Sequence, residues 1–64
     1  MQPRKHTIRI YQDSLDEWRW IRRDESGHTI SESPHAYRNS TIAREASDLA
    51  NPDHHNYRNE TARD

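Results

Sequence analysis

The stretch Glu17 to Arg23, Glu-Trp-Arg-Trp-Ile-Arg-Arg, constrains this chain more than any other. It holds both tryptophans, two residues apart, with Arg19 between them. Successive side chains on a strand point to opposite faces, so an extended backbone puts Trp18 and Trp20 on one side. A helix would turn them about 200° apart and leave no common apolar stripe. The stretch therefore predicts a central strand with an aromatic core face. Trp18, Trp20 and Arg22 take one side, and Glu17, Arg19, Ile21 and Arg23 the other.

The flanking sequence predicts partners for this strand. His6 to Gln12 alternates, with Ile8 and Ile10 on one face and Thr7, Arg9 and Tyr11 on the other, the pattern of a half-buried strand. Asp13-Ser14-Leu15-Asp16 has turn formers at its start and end. Asp24-Glu25-Ser26-Gly27 is the clearest turn and carries the only glycine, where a hairpin often needs a positive φ. His28 to Ser33 reads as a third strand with Thr29 and Ile30 as its β-branched residues, and Pro34 ends it because it cannot donate to a ladder. Three short strands joined by tight turns make an antiparallel meander.

The period changes at Asn39. Ile42, Ala46 and Leu49 fall at i, i+4 and i+7 with Ala43 and Ala50 alongside, while Arg44, Glu45, Ser47 and Asp48 take the opposite side. This predicts an amphipathic helix over residues 39–50. Asn39, Ser40 and Thr41 are good N-caps, Asn51 is a C-cap and Pro52 a stop. The alanine-rich face is expected to lie close against the Trp side of the sheet. The chain thus divides into a flexible N-terminus (1–5), a β-β-β-α domain (6–51) and a polar C-terminal segment (52–64) that composition alone would leave disordered.

Composition sharpens the problem of stability. A chain of 64 residues has room for one small domain. Such a chain buries only about 60% of its unfolded surface. Only 28% of this chain is apolar, against 33% charged, and it has no phenylalanine and no cysteine. Disulfides and thiolate zinc sites are excluded, so oligomerisation is the remedy left for a small scaffold. A net charge of −1 is no general footprint for nucleic acid. The chain has no apolar run long enough to span a bilayer and no secretory h-region after Met1, so a cytoplasmic, membrane-free protein is expected.

The order of these features resembles the YegP-like family, a domain of unknown function found in bacteria and archaea. There a strand of the type Phe-Glu-Ile-Tyr-Lys-Asp precedes an aromatic-Arg-Trp-Arg-Leu strand, an Asn-Gly turn, a Val-Ile-Ala strand, a tyrosine and a helix. Here the matching stretches are Ile8-Arg9-Ile10-Tyr11-Gln12-Asp13, Trp18-Arg19-Trp20-Ile21-Arg22, Ser26-Gly27, Thr29-Ile30-Ser31, Ser33, Tyr37 and the helix from Asn39. The spacing runs without a gap from Ile8 to Tyr37. Departures are Arg22 in place of leucine, Ile21 in the arginine position, Pro34-His35-Ala36 for Gly-Glu-Gly, and Ala46-Ser47 for Gly-Ile. The resemblance implies an α+β fold: the three-stranded meander, one helix and a short C-terminal strand near residues 56–60, exchanged between two subunits. With one copy in the chain, it implies a homodimer.

Two sets of candidate residues follow. Ile8, Ile10, Trp18, Trp20, Ile30, Tyr37, Ile42, Ala46 and Leu49 are expected to form the core and dimer packing, because large aromatics dominate small cores. The Trp pair as a platform for bases or sugars is the alternative. Arg9, Tyr11, Arg19 and Arg23 share the other sheet face, where interleaved arginine and aromatic residues can hold single-stranded nucleic acid. A solvated face with cross-strand partners such as Glu17 and Glu32 is the simpler reading. The five histidines (His6, His28, His35, His54 and His55) lack the convergent spacing of a zinc site, so no metal and no cofactor is expected. No nucleophile elbow or phosphate-cradling loop is present, and the chain reads as non-enzymatic. The expectation is a homodimeric interaction or accessory protein, with a nucleic-acid-binding module as the alternative.

Overall fold

The computed structural model describes residues 5–62. Residues 1–4 of the expected flexible N-terminus, like 63 and 64, lie outside the described residues. The fold is α+β. Strands β1 (Thr7–Gln12), β2 (Trp18–Arg23) and β3 (Thr29–Glu32) form the predicted antiparallel meander. Helix α1 (Ser40–Ala50) follows, then a 3-10 turn (His54–Asn56) and strand β4 (Arg58–Thr61). The sheet order is β3-β2-β1-β4, with β4 parallel to β1. The C-terminal segment is therefore structured over His54–Asn56 and Arg58–Thr61. Its strand begins two residues later than expected, and in the single chain it pairs with the chain's own β1.

The two hairpin turns are the same device used twice. In the first, the Asp13 carboxylate accepts from the Leu15 and Glu17 amides at 2.9 and 3.0 Å, and the Asp13 amide donates to the Glu17 carbonyl. In the second, Asp24 accepts from the Ser26 and His28 amides at 2.9 and 3.0 Å, and its amide donates to the His28 carbonyl. The fourth residue of each turn has a positive φ: Asp16 at 63° and Gly27 at 90°. Aspartate at the first position supplies an acceptor the turn amides would otherwise lack. Only the second turn uses glycine at the left-handed position.

The β1–β2 register places Ile8 opposite Arg22, Ile10 opposite Trp20 and Gln12 opposite Trp18. All six share the face covered by α1. Ile8, Ile10, Trp20 and Ala43 are the buried apolar residues, and Trp18, Tyr37 and Ala46 pack against the cluster of Ile10, Trp20 and Ala43. Tyr37 is locked there by an isolated antiparallel bridge to Trp18, with paired bonds of 2.7 Å. Asn39 caps α1 by accepting from the Ile42 amide at 2.8 Å, and Asn51 closes its C-terminus.

Three residues expected in core or dimer packing lie outside the core of the single chain. Ile42, Leu49 and Ile30 are 38%, 85% and 50% exposed, whereas Ser47, expected on the solvent side, is fully buried. The helix is turned about one residue, or 100°, from its apolar stripe. It packs on Ile10 and Trp20 through Ala43 and Ala46, small residues that let it approach the broad Trp20 ring, and Ser47 is buried. The Ser47 carbonyl is satisfied by Asn51 Nδ2 at 2.8 Å. Ile30 is displaced by the register shift between Arg22 and Arg23: Ser31 and Thr29 take the pairings, and Ile30 falls between them.

Candidate functional site

The covered face holds a polar knot at one end of the Trp row. Arg22 stands on this face with its side chain only 13% exposed. Its Nε donates to His6 Nδ1 at 2.9 Å, which fixes that nitrogen as an acceptor. Nη1 donates to Asn51 Oδ1 at 3.0 Å, and Nη1 and Nη2 grip the two Asp53 oxygens at 3.3 Å each. The guanidinium lies 4.7 Å from the centre of the Tyr57 ring, which also stacks on His6 at 4.9 Å. Tyr57 donates its hydroxyl to Asp53 at 2.9 Å. That bond, followed by Arg22, holds the Asp53 carboxyl below its ordinary value, and Asp53 in turn raises the Tyr57 phenol. One side chain thus ties β1, β2, the end of α1 and the approach to β4 together. Sequence reasoning did not find this group. The signal was an arginine on a core face, which demands partners.

The other sheet face is open. The registers arrange its side chains in three rows across the strands. Tyr11 stands opposite Arg19. Next come Glu32, Ile21, Arg9 and Glu60 side by side, then Thr29, Arg23, Thr7 and Arg58. All four residues of the predicted arginine face are therefore brought onto one surface, and none of that surface is buried. Arg19 is held by Asp13 at 3.0 Å, a bond that lowers the Asp13 carboxyl. Arg58 pairs with Glu60 at 3.4 Å. Among the described residues Arg9 and Arg23 make no ion pair. They flank an open depression of about 240 Å³ that includes Thr7, Ile21, Gly27 and the carboxylates Asp24, Glu25 and Glu60.

The histidines are dispersed. His28 sits 3.6 Å from Asp24, His35 packs on Tyr37, and His54 Nδ1 donates to the Asn51 carbonyl at 2.9 Å. Among the described residues no three His, Asp or Glu converge as metal ligands. No helix among them is long and apolar enough to cross a membrane. The chain matches no protein-family model, no curated protein and no solved structure.

Proposed function

We propose that this chain is a small non-enzymatic cytoplasmic protein of the YegP-like type that works as a homodimer, serving as an interaction or accessory module. One observation carries the reading. Ile42 and Leu49, two turns apart on one stripe of α1, face solvent in a chain that buries only four apolar residues among those described. A core this thin needs further apolar burial, at about 25 cal/mol per Å², to hold a domain of this size. In an isologous pairing of antiparallel helices, Ile42 meets the Leu49 position of the second copy, and the small Ala46 lies between them.

Strand exchange is the second element of this proposal. β4 contributes no member of the apolar cluster and joins the sheet only along β1. Moved to the β1 of a second copy, it would keep every bond of its present register.

Light scattering tests the reading. The expected mass is twice 7.7 kDa, and Leu49→Lys is expected to halve it. A wild-type mass of 7.7 kDa overturns the homodimer. Deleting residues 58–64 separates the two modes: dissociation supports exchange of β4, and an intact dimer leaves the α1 stripe as the contact.

A further inference from the structure

His6 meets the C-terminal segment in three ways. Its carbonyl accepts from the Arg58 amide at 3.3 Å, where β4 begins. Its half-buried ring stacks on Tyr57. Its Nδ1 accepts from Nε of Arg22, the guanidinium that grips Asp53 and lies over the Tyr57 ring. His6 thus holds the guanidinium from the β1 side, while Asp53 and Tyr57 hold it from the stretch that leads into β4.

This arrangement needs a neutral His6. Arginine has donors only and keeps its proton, so Nδ1 must supply a lone pair. A protonated imidazole carries a donor on both nitrogens. Its Nδ1–H would then face the Nε–H of Arg22 across a contact of 2.9 Å, cation against cation. The neighbouring charges do not relieve this. Asp53 already accepts from both terminal nitrogens of Arg22 and from the Tyr57 hydroxyl. Lys5, next in the chain, is a further cation, and Glu25 accepts from its amide at 3.5 Å. His54, in the same C-terminal segment, is built the other way. Its Nδ1 donates to the Asn51 carbonyl and its Nε2 lies 3.5 Å from Asp48, so a proton keeps the first contact and strengthens the second.

We propose that His6 is a pH-sensitive latch: neutral, it holds the C-terminal segment on β1, and protonated, it releases β4 while the meander and α1 stay folded. The docked segment excludes the proton and the released segment admits it. Docking is therefore complete where the imidazole is neutral and is lost as pH falls through the range in which histidine charges, about 8 to 5. A free imidazole has a pKa of about 6.5, so release gains about tenfold between pH 7.5 and 5.5. The apolar cluster of Ile10, Trp20 and Ala43 has no member in the knot, so the opening is local. The carboxyls of Asp13, Asp24 and Asp53 are held below 3.8, outside this window. The latch adds a control to the exchange of β4, but β4 protection reads the latch and solution mass reads the dimer, so either can fail without the other.

Amide hydrogen exchange of the wild-type chain, followed by NMR between pH 7.5 and 5.5, tests it. Protection factors of the β4 amides should fall about tenfold on acidification, while those of β2 hold. The His6 ring resonances should move over the same interval. His6→Gln offers an oxygen acceptor that does not titrate, and should keep β4 protection level. His54→Gln should leave the fall intact. Circular dichroism melts identify folded variants. Level β4 protection in the wild-type protein overturns the proposal, as does an equal fall in β2. So does a His6 ring that titrates outside the interval, the same fall in folded His6→Gln, or its disappearance in folded His54→Gln.

Discussion

The two faces of this sheet use arginine in opposite ways. On the covered face Arg22 is surrounded: His6, Asn51, Asp53 and Tyr57 close on its guanidinium. On the open face Arg9 and Arg23 stand exposed, with no ion pair among the described residues. A desolvated cation must be matched by fixed acceptors, so Arg22 organises structure around itself. A solvated one is free to choose a partner. The residue type is the same, and burial decides whether it holds the fold or stays in solvent.

That contrast can be broken by mutation, and the largest effect belongs to the tryptophan row. Trp20→Ala is expected to cost about 3–5 kcal/mol. A chain of 64 residues has a total stability of only about 3–10 kcal/mol, so thermal melting should show little or no folded protein. Trp20→Phe keeps the ring and removes an indole N–H that has no hydrogen-bond partner, so it should stay folded. A cooperatively folded Trp20→Ala variant would show that the covered face is not the core.

Arg22→Ala comes next. It leaves the Asn51 oxygen and the Asp53 carboxylate without their shared donor, a loss of about 1–3 kcal/mol. Arg9→Ala and Arg23→Ala should each stay within about 0.5 kcal/mol of wild type. Equal losses in urea melts would erase the distinction between the faces.

Acid offers a titration of the same knot. The Asp53 carboxyl is held below its ordinary value of 3.8, chiefly by the Tyr57 hydroxyl and then by Arg22. Its folded pKa is depressed, so its contribution is complete above the unfolded value and is lost as pH falls through and below 3.8. Asp13 and Asp24 shift the same way in the hairpin turns. Asp53→Asn should therefore flatten the acid limb of the melting profile, and an unchanged limb would remove the carboxylate from the knot.

The twin turns give a pair of effects of opposite sign. Gly27→Ala meets no steric neighbour but forces a side chain into φ 90°, at about 1–2 kcal/mol. Asp16→Gly relieves the matching position at φ 63° and should be neutral or slightly stabilising. Reversed signs in the two turns would show that they are not the same device.

Much of this architecture was legible in local pattern. Alternation in residues 6–12 and 17–23 assigned the right side chains to the right faces, and Asn39 and Asn51 marked the ends of the helix. The phase of α1 was not legible, because periodicity ranks Ile42 and Leu49 above Ala43 and Ser47. What selects the small residues is the distance to Trp20, a tertiary fact. The Arg22 knot escaped for the same reason: its partners lie up to 35 residues away, at Tyr57. β4 was invisible to composition, since Arg-Asn-Glu-Thr carries no strand signal and its place is fixed by pairing with β1. The arginine face was legible because alternation alone defines it.

The turned helix leaves Ile42 and Leu49 in solvent, and the central claim is that a second copy covers them. The most direct test is the melting temperature across a wide dilution series of the wild-type protein. When folding and pairing are coupled, the melting point depends on protein concentration. The account predicts a melting point that climbs steadily as the protein is concentrated. A melting point independent of concentration, at a solution mass of 7.7 kDa, would contradict it.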